Sequence, residues 1–292
     1  MNANTFDRYL ARASAVHRLD PRVKVVAAVA FIVAAVLAAL AVFILYPLAS
    51  VIVVSLRPEG RWTLEIFRHV VSNPYLLQGF RNSILMGVLT AVIGTGIGFL
   101  FAFAVTRADV PLKRILHAVA IIPIVSPPFI GALAIIMLFG NNGFITWNLL
   151  RIRNFPIYGF TGLMIAQAVT FFPVAYLTLR GVLESINPTL EDAALDLGGS
   201  RFRVFRRVTL PLAMPGIASS MLVLFIETLA DFGNPLILAG SRFPILSVQA
   251  YLQITGMYDL PTGAALSVLL LVPSVTAWVI QKYWVSRKRY VT

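Results

Sequence analysis

From Val25 to Leu56 the chain runs without one charged side chain, and that single stretch decides most of what it can fold into. A hydrocarbon core about 30 Å thick is crossed by roughly 20 residues of helix, so the run is long enough to span a bilayer. It is also far longer than the roughly 7–15-residue core of a cleavable signal, which makes it a retained span. Composition extends the argument to the whole chain. Apolar residues make up 59% and charged residues 12%, against roughly 45–50% and 25% in a soluble domain. A polytopic membrane protein is the ordinary class that fits. Because no water satisfies backbone groups inside a bilayer, such apolar runs become helices. The expected fold class is all-α, with about six transmembrane helices.

Taken in order, residues 1–24 form a polar segment with Arg8, Arg12, Arg18, Arg22 and Lys24 against Asp7 and Asp20. The membrane domain then covers residues 25–285, with Pro47 ending or bending the first span. Arg57 to Arg81 is a mixed-charge connection, in which residues 62–71 suit a short amphipathic helix at the interface. Trp62 and Tyr75 fit the headgroup level. Asn82–Thr106 is the second span. Its glycines at 94, 96 and 98 lie inside a continuous apolar helix with no strand before them, so a nucleotide-binding loop is a poor reading. Gly94 and Gly98 instead make a small-xxx-small pair that lets another helix approach. Ile115–Phe139 is the third span, interrupted by Pro123, Pro127 and Pro128; these either kink the helix or line a path. Gly140–Phe155 is a loop and Ile157–Leu179 the fourth span. Leu212–Phe232 is the fifth, followed by a broken region through Pro235, Gly240 and Pro244. Residues 245–262 suit a re-entrant or surface helix, Gly263–Ile280 is the sixth span, and residues 286–292 are a basic tail.

An even span number places both termini on one side. That side carries 17 of the 24 Lys and Arg, and the other side 7. The positive-inside rule therefore puts the termini, and the Asn187–Pro211 loop, in the cytoplasm. The same rule explains the net charge of +12 without nucleic acid, for which no motif appears. Without cysteine there is no disulfide framework or thiolate metal site. His17, His69 and His117 have no metal-ligand spacing, and no catalytic constellation or phosphate-binding loop can be assembled. No catalytic residue and no metal site is expected, and the chain is not an enzyme by itself.

One hydrophilic island remains, Asn187–Pro211. Thr189 and Asp192 resemble a capping-box pair, and acids crowd the first turn. Leu190, Ala193, Ala194 and Leu197 recur at i, i+3, i+4 and i+7, giving one apolar face. Glu191, Asp192 and Asp196 fall on the other side. Gly198-Gly199 stops this helix, and Ser200 opens a basic one with Arg201, Arg203, Arg206 and Arg207 that ends near Pro211. Two short helices with small residues at their knee suit docking into a cleft on another protein; a merely solvated loop is the plainer alternative.

The spacing Asp192-Ala193-Ala194, three residues, Gly198, nine residues, Val208, one residue, Leu210-Pro211 resembles the EAA loop of the permeases of ATP-binding-cassette importers. Asp192 departs from the family's Glu, although Glu191 lies beside it, and Val208 departs from Ile. The likeness extends from about Ile157 to about Gly240, and within the family it is nearest the ferric-iron, polyamine, sulfate and molybdate group. The resemblance implies a type I permease of the bacterial inner membrane whose coupling loop, 187–211, meets an ATPase subunit through Leu190, Glu191, Asp192, Ala193, Ala194, Leu197, Gly198, Leu210 and Pro211. It implies that ATP and magnesium belong to that partner and no cofactor to this chain. A periplasmic binding protein would deliver a small solute, ferric iron being the best guess. Six spans give half a path, so a second permease half is implied, as homodimer, heterodimer or tandem fusion. An ion-coupled secondary transporter is the competing reading. It would use membrane carboxylates, for which Glu227 and Asp231, one turn apart on the fifth span, are the candidates. These two either satisfy freed backbone and hydroxyl groups near Gly233–Pro235 and Thr228 or face the translocation path.

Overall fold

The computed structural model describes residues 20–152 and 155–285. The N-terminal residues through 19, with His17, and the basic tail 286–292 lie outside the described residues. The chain divides into two compact units, residues 1–53 and 54–292. In the first, Asp20 caps a helix by accepting from the Arg22 amide at 2.7 Å. This helix, α1 (Pro21–Leu56), widens to an i→i+5 turn over Ala41–Leu45 and continues past Pro47. At about 1.5 Å per residue it is long enough to cross a bilayer with length to spare. Within this unit none of the side chains of Pro21–Leu40 is buried.

In the second unit, which takes in the last residues of α1, the first separate α-helix is short and amphipathic, α2 (Glu65–Ser72), and buries Val70. Asn73 then caps α3 (Pro74–Thr106), its side chain accepting from the Tyr75 and Leu76 amides. This second span therefore starts eight residues earlier than the apolar run indicates, because Pro74 at the first position and an Asn cap form a strong helix start. α3 packs against α6 (Phe160–Ser185) and α8 (Arg201–Ala230). Its glycines are what allow the approach. A Cβ on Gly98 would lie 2.7 Å from the Tyr176 amide nitrogen and 2.8 Å from Ala175 Cβ, and one on Gly94 would lie 2.7 Å from Leu224. The small-xxx-small expectation holds.

The third span is interrupted at Pro127 and Pro128, as the sequence indicates, but by a full break rather than a kink, and not at Pro123. It separates into α4 (Lys113–Val125) and α5 (Pro128–Phe139), with Ser126 and Pro127 extended between them. A residue before proline is pushed out of the helical region, and Ser126 precedes one while Pro127 precedes another. The apolar crossing itself runs on from Phe129 to Leu149, taking in a π-type turn over Phe144–Leu149 that the sequence reads as loop. α6, the fourth span, is the most enclosed of the spans and buries Leu163, Gln167, Phe172, Tyr176, Leu179 and Leu183. A loop helix, α7 (Pro188–Asp196), precedes α8. Beyond α8 come α9 (Gly233–Leu238), α10 (Leu246–Thr255) and α11 (Leu260–Ile280). α10 buries Leu246, Gln249 and Ala250 against the bundle. Among the described residues no strand forms, and the long apolar helices make six candidate crossings. This is a multi-pass, all-α membrane protein.

The contact at Gly98 has a direct test. Gly98→Ala should lower the melting temperature of the detergent-purified chain by several degrees, since overpacking against backbone costs about 1–3 kcal/mol. Gly96→Ala, where an added Cβ meets nothing within 4 Å, should melt with the parent. Equal melting of the two variants would contradict this packing.

Candidate functional site

At one end of the bundle the chain leaves α6 and forms α7. Asn187, not Thr189, is the cap: its Oδ1 accepts from the Thr189 amide at 3.0 Å. The helix starts earlier than expected because Pro188 already holds the helical φ and has no amide needing a partner. No capping box with Asp192 forms. Closure is as expected. Gly198 sits at φ +84°, its amide donates to Leu195 O at 2.9 Å, and that of Gly199 donates to Ala194 O at 3.1 Å. These paired bonds are a Schellman closure, which needs the left-handed residue that glycine supplies at low cost. Ser200 caps the next helix, accepting from the Arg203 amide. That helix does not end near Pro211. It widens to an i→i+5 turn over Phe205–Thr209 and runs on as the fifth span, a widening that tolerates the carbonyl left without a donor by Pro211.

The apolar face of α7 is uncovered. Leu190 is 49% and Leu197 90% exposed, Ala193 is exposed and Ala194 half-buried. Asp192 and Asp196 are exposed too, as is Pro211, while Leu210 is half-buried. Glu191 departs from the expectation. It turns inward, its carboxylate 3.2 Å from Arg107 Nε at the end of α3, and it accepts from the Thr209 hydroxyl at 2.8 Å. Arg107 also donates from Nη2 to Leu183 O at 2.9 Å and Ile186 O at 2.8 Å. Sequence spacing gives no sign of this, because Arg107 lies far from the loop along the chain and looks like an ordinary end-of-span basic residue. His117, unassigned from sequence, hydrogen-bonds the Tyr176 hydroxyl and lies against Arg180.

Toward the other end, α8 stops at Ala230 and Asp231 is extended, with ψ 124°. The fifth span thus ends two residues early, and Asp231 is not carried on the helical face of Glu227. The cause is local: the Asp231 carboxylate accepts from the Asn234 backbone amide at 3.3 Å and the Asn234 side chain at 3.0 Å, replacing the continuing helix. Gln167 Nε2 adds a third bond at 3.0 Å, and Ser247 Oγ donates to the Asp231 carbonyl. Buried to 8% exposure, Asp231 therefore does structural work at the Gly233–Pro235 break. The Thr228 hydroxyl does not join it, donating instead to Leu224 O on its own helix. Glu227 is different, since its Oε2 is buried without a protein partner. Both acids still border one open groove of about 380 Å³ with Phe129, Thr170 and Phe171. Of the prolines singled out in the sequence, Pro123 lies within α4 and Pro127 makes the extended step, whereas Pro128 opens α5, the helix that brings Phe129 to the groove.

Long apolar helices, a helix broken at buried polar residues, and a short helix with an uncovered apolar face together define a membrane permease architecture. A family model described as the binding-protein-dependent transport system inner membrane component matches residues 94–290, and the chain belongs to that family. It is 32% identical over 255 residues to the ferric transport system permease protein of Actinobacillus pleuropneumoniae, covering 86% of this chain and 37% of that one. It is 27% identical over 209 residues to the sulfate transport system permease protein of Salmonella typhimurium, covering 70% and 75%. The chain spans about two fifths of the length of the ferric relatives it matches. A crystal structure of a bacterial transporter for the acidic polysaccharide alginate shares the fold, at TM-score 0.74 and 16% identity over 89% of this chain and 95% of that one.

The division between the acids predicts unequal stability effects. Asp231→Asn replaces an acceptor facing two side-chain amides and should lower expression and melting temperature, at about 1–3 kcal/mol for buried groups left unpaired. Glu227→Gln should melt with the parent. Equal losses would show that Glu227 is also structural.

Proposed function

We propose that the chain is the membrane-spanning permease subunit of an ATP-driven importer, with α7 as the helix that seats on a separate ATPase subunit. The observation that carries this is the uncovered face of Leu190, Ala193 and Leu197, held out between a side-chain cap and a glycine closure at the positions of the EAA pattern. Small apolar side chains permit close approach, and a rigid two-ended helix transmits a push. ATP and magnesium are bound by the partner, and this chain needs no cofactor of its own. The surplus of basic residues puts this end of the bundle and both termini in the cytoplasm, with the membrane domain from 25 to 285 in the inner membrane. A second permease half completes the path, and a periplasmic binding protein supplies the solute at the opposite end.

The solute we favour is ferric iron. Two relatives at 32% identity are ferric transport system permease proteins by description. In addition, Glu227 brings a carboxyl oxygen without a protein partner to the groove, a hard oxygen donor of the kind that cations take.

Gly198→Arg tests the docking. An added Cβ there meets nothing within 4 Å, so the bulk points into open space, and the left-handed backbone costs only about 1–2 kcal/mol. The variant should insert and fold, lose the co-purifying ATPase and lose transport. Normal stimulated ATP hydrolysis would sink the assignment, and transport driven by an ion gradient without any ATPase would replace it with a secondary transporter. Transport by Glu227→Gln should fall severalfold with ATP hydrolysis retained; the parental rate would remove Glu227 from the path.

A further inference from the structure

We propose that Arg107 is the positioning residue that ties the motion and the rotational setting of α7 to three membrane spans at once. The inference rests on the importer reading above and assigns a role to a residue outside the docking loop.

The geometry is a junction. Arg107 closes α3, its amide donating to Phe103 O at 2.8 Å. Its Nη2 takes Leu183 O and Ile186 O at the end of α6, carbonyls that a helix terminus leaves without intrahelical donors and that carry its negative dipole end. Its Nε meets Glu191 on α7, and Glu191 in turn accepts from Thr209 where α8 begins. One guanidinium therefore joins the ends of the second and fourth spans to α7 and, through one carboxylate, to the fifth. Lysine cannot replace it, because a single ammonium lacks the fixed fork that reaches carbonyls and carboxylate in different directions.

Glu191 also fixes which way α7 faces. At 3.6 residues per turn, Ala193 lies about 200° around the helix from Glu191. Holding Glu191 inward therefore turns Leu190, Ala193 and Leu197 outward. The side chains of Arg107 and Glu191 are 14% and 17% exposed, and the pair borders a cleft of about 300 Å³ that also includes Phe103, Asp109 and Leu195. That cleft leaves α7 room to tilt wherever the pair does not hold it. Ion pairs with solvent access add little to folding stability; the consequence of this one is position.

The test uses the complex with its ATPase and binding protein in proteoliposomes, carrying Arg107→Gln, Glu191→Gln or both. Transport is read per ATP hydrolysed, so that reduced assembly cancels. Each single variant should fall at least about fivefold, the lower end of coupling between sites. The double variant should fall no further than the worse single one, because each removes the same link. Parental transport per ATP in Arg107→Gln, or losses that multiply in the double variant, would overturn the proposal. The chain has no cysteine, so spin labels at Asp196→Cys and Ile115→Cys give a second reading on the permease alone. Glu191→Gln, which leaves the bonds from Arg107 to the α6 carbonyls, should broaden that distance distribution beyond the parental width, and an unchanged width overturns the proposal. If no ATPase binds the parental chain, the importer reading has failed, while the label distances still decide the link.

Discussion

Inside a bilayer every backbone N–H and C=O needs a partner supplied by the protein, and the structure of this chain follows from how it meets that demand where its helices break. The break after Ala230 frees backbone groups, and side chains from the broken segment itself and from α3 reach them. Asp231 takes the Asn234 amide, and Ser247 donates to the Asp231 carbonyl. Asn82 on α3 donates to Pro244 O at 2.9 Å, and Ser83 accepts from the Leu246 amide at 2.9 Å. The Gly159 amide donates to Leu238 O. Polar residues scattered in apolar runs are thus the means by which α9 and α10 are seated on α3 and α6.

The two ends of the bundle then serve different purposes. At the broken end, Thr90, Gln167, Asp231, Asn234 and Thr170 are linked by hydrogen bonds. This fixes the wall beside which Glu227 is left with a buried, unpartnered oxygen. At the Arg107 end the loop helix has one polar edge held by an ion pair and one apolar edge left open. A network bonded across two spans and the break resists movement, although Asn234 Oδ1 itself is left without a partner; a short helix tied at one edge can be pushed.

Much of this was legible in the sequence because the signals are periodic or local. The uncharged runs mark the crossings, the spacing of Leu190, Ala193 and Leu197 marks a face, and Gly198 marks a closure that only a left-handed residue makes. What was not legible depends on contacts distant along the chain. Glu191 reads as one more surface acid until Arg107 and Thr209 are beside it. Asp231 reads as a helical neighbour of Glu227 until Gln167 and Asn234 draw it out of the helix. The helix ends moved for local reasons: Pro74 and Pro188 start helices early, whereas the widened turn before Pro211 carries one through.

In the function proposed above, the open face of α7 lies in the cytoplasm and an ATPase subunit covers it. Because the chain has no cysteine, Ala193→Cys places a single thiol on that face. A membrane-impermeant maleimide should label it in inside-out vesicles stripped of peripheral subunits and leave it unlabelled in right-side-out vesicles. Adding back the purified ATPase subunit should suppress the labelling. Labelling in right-side-out vesicles, or labelling undiminished by the bound ATPase, would show that α7 is not the cytoplasmic seat of that subunit.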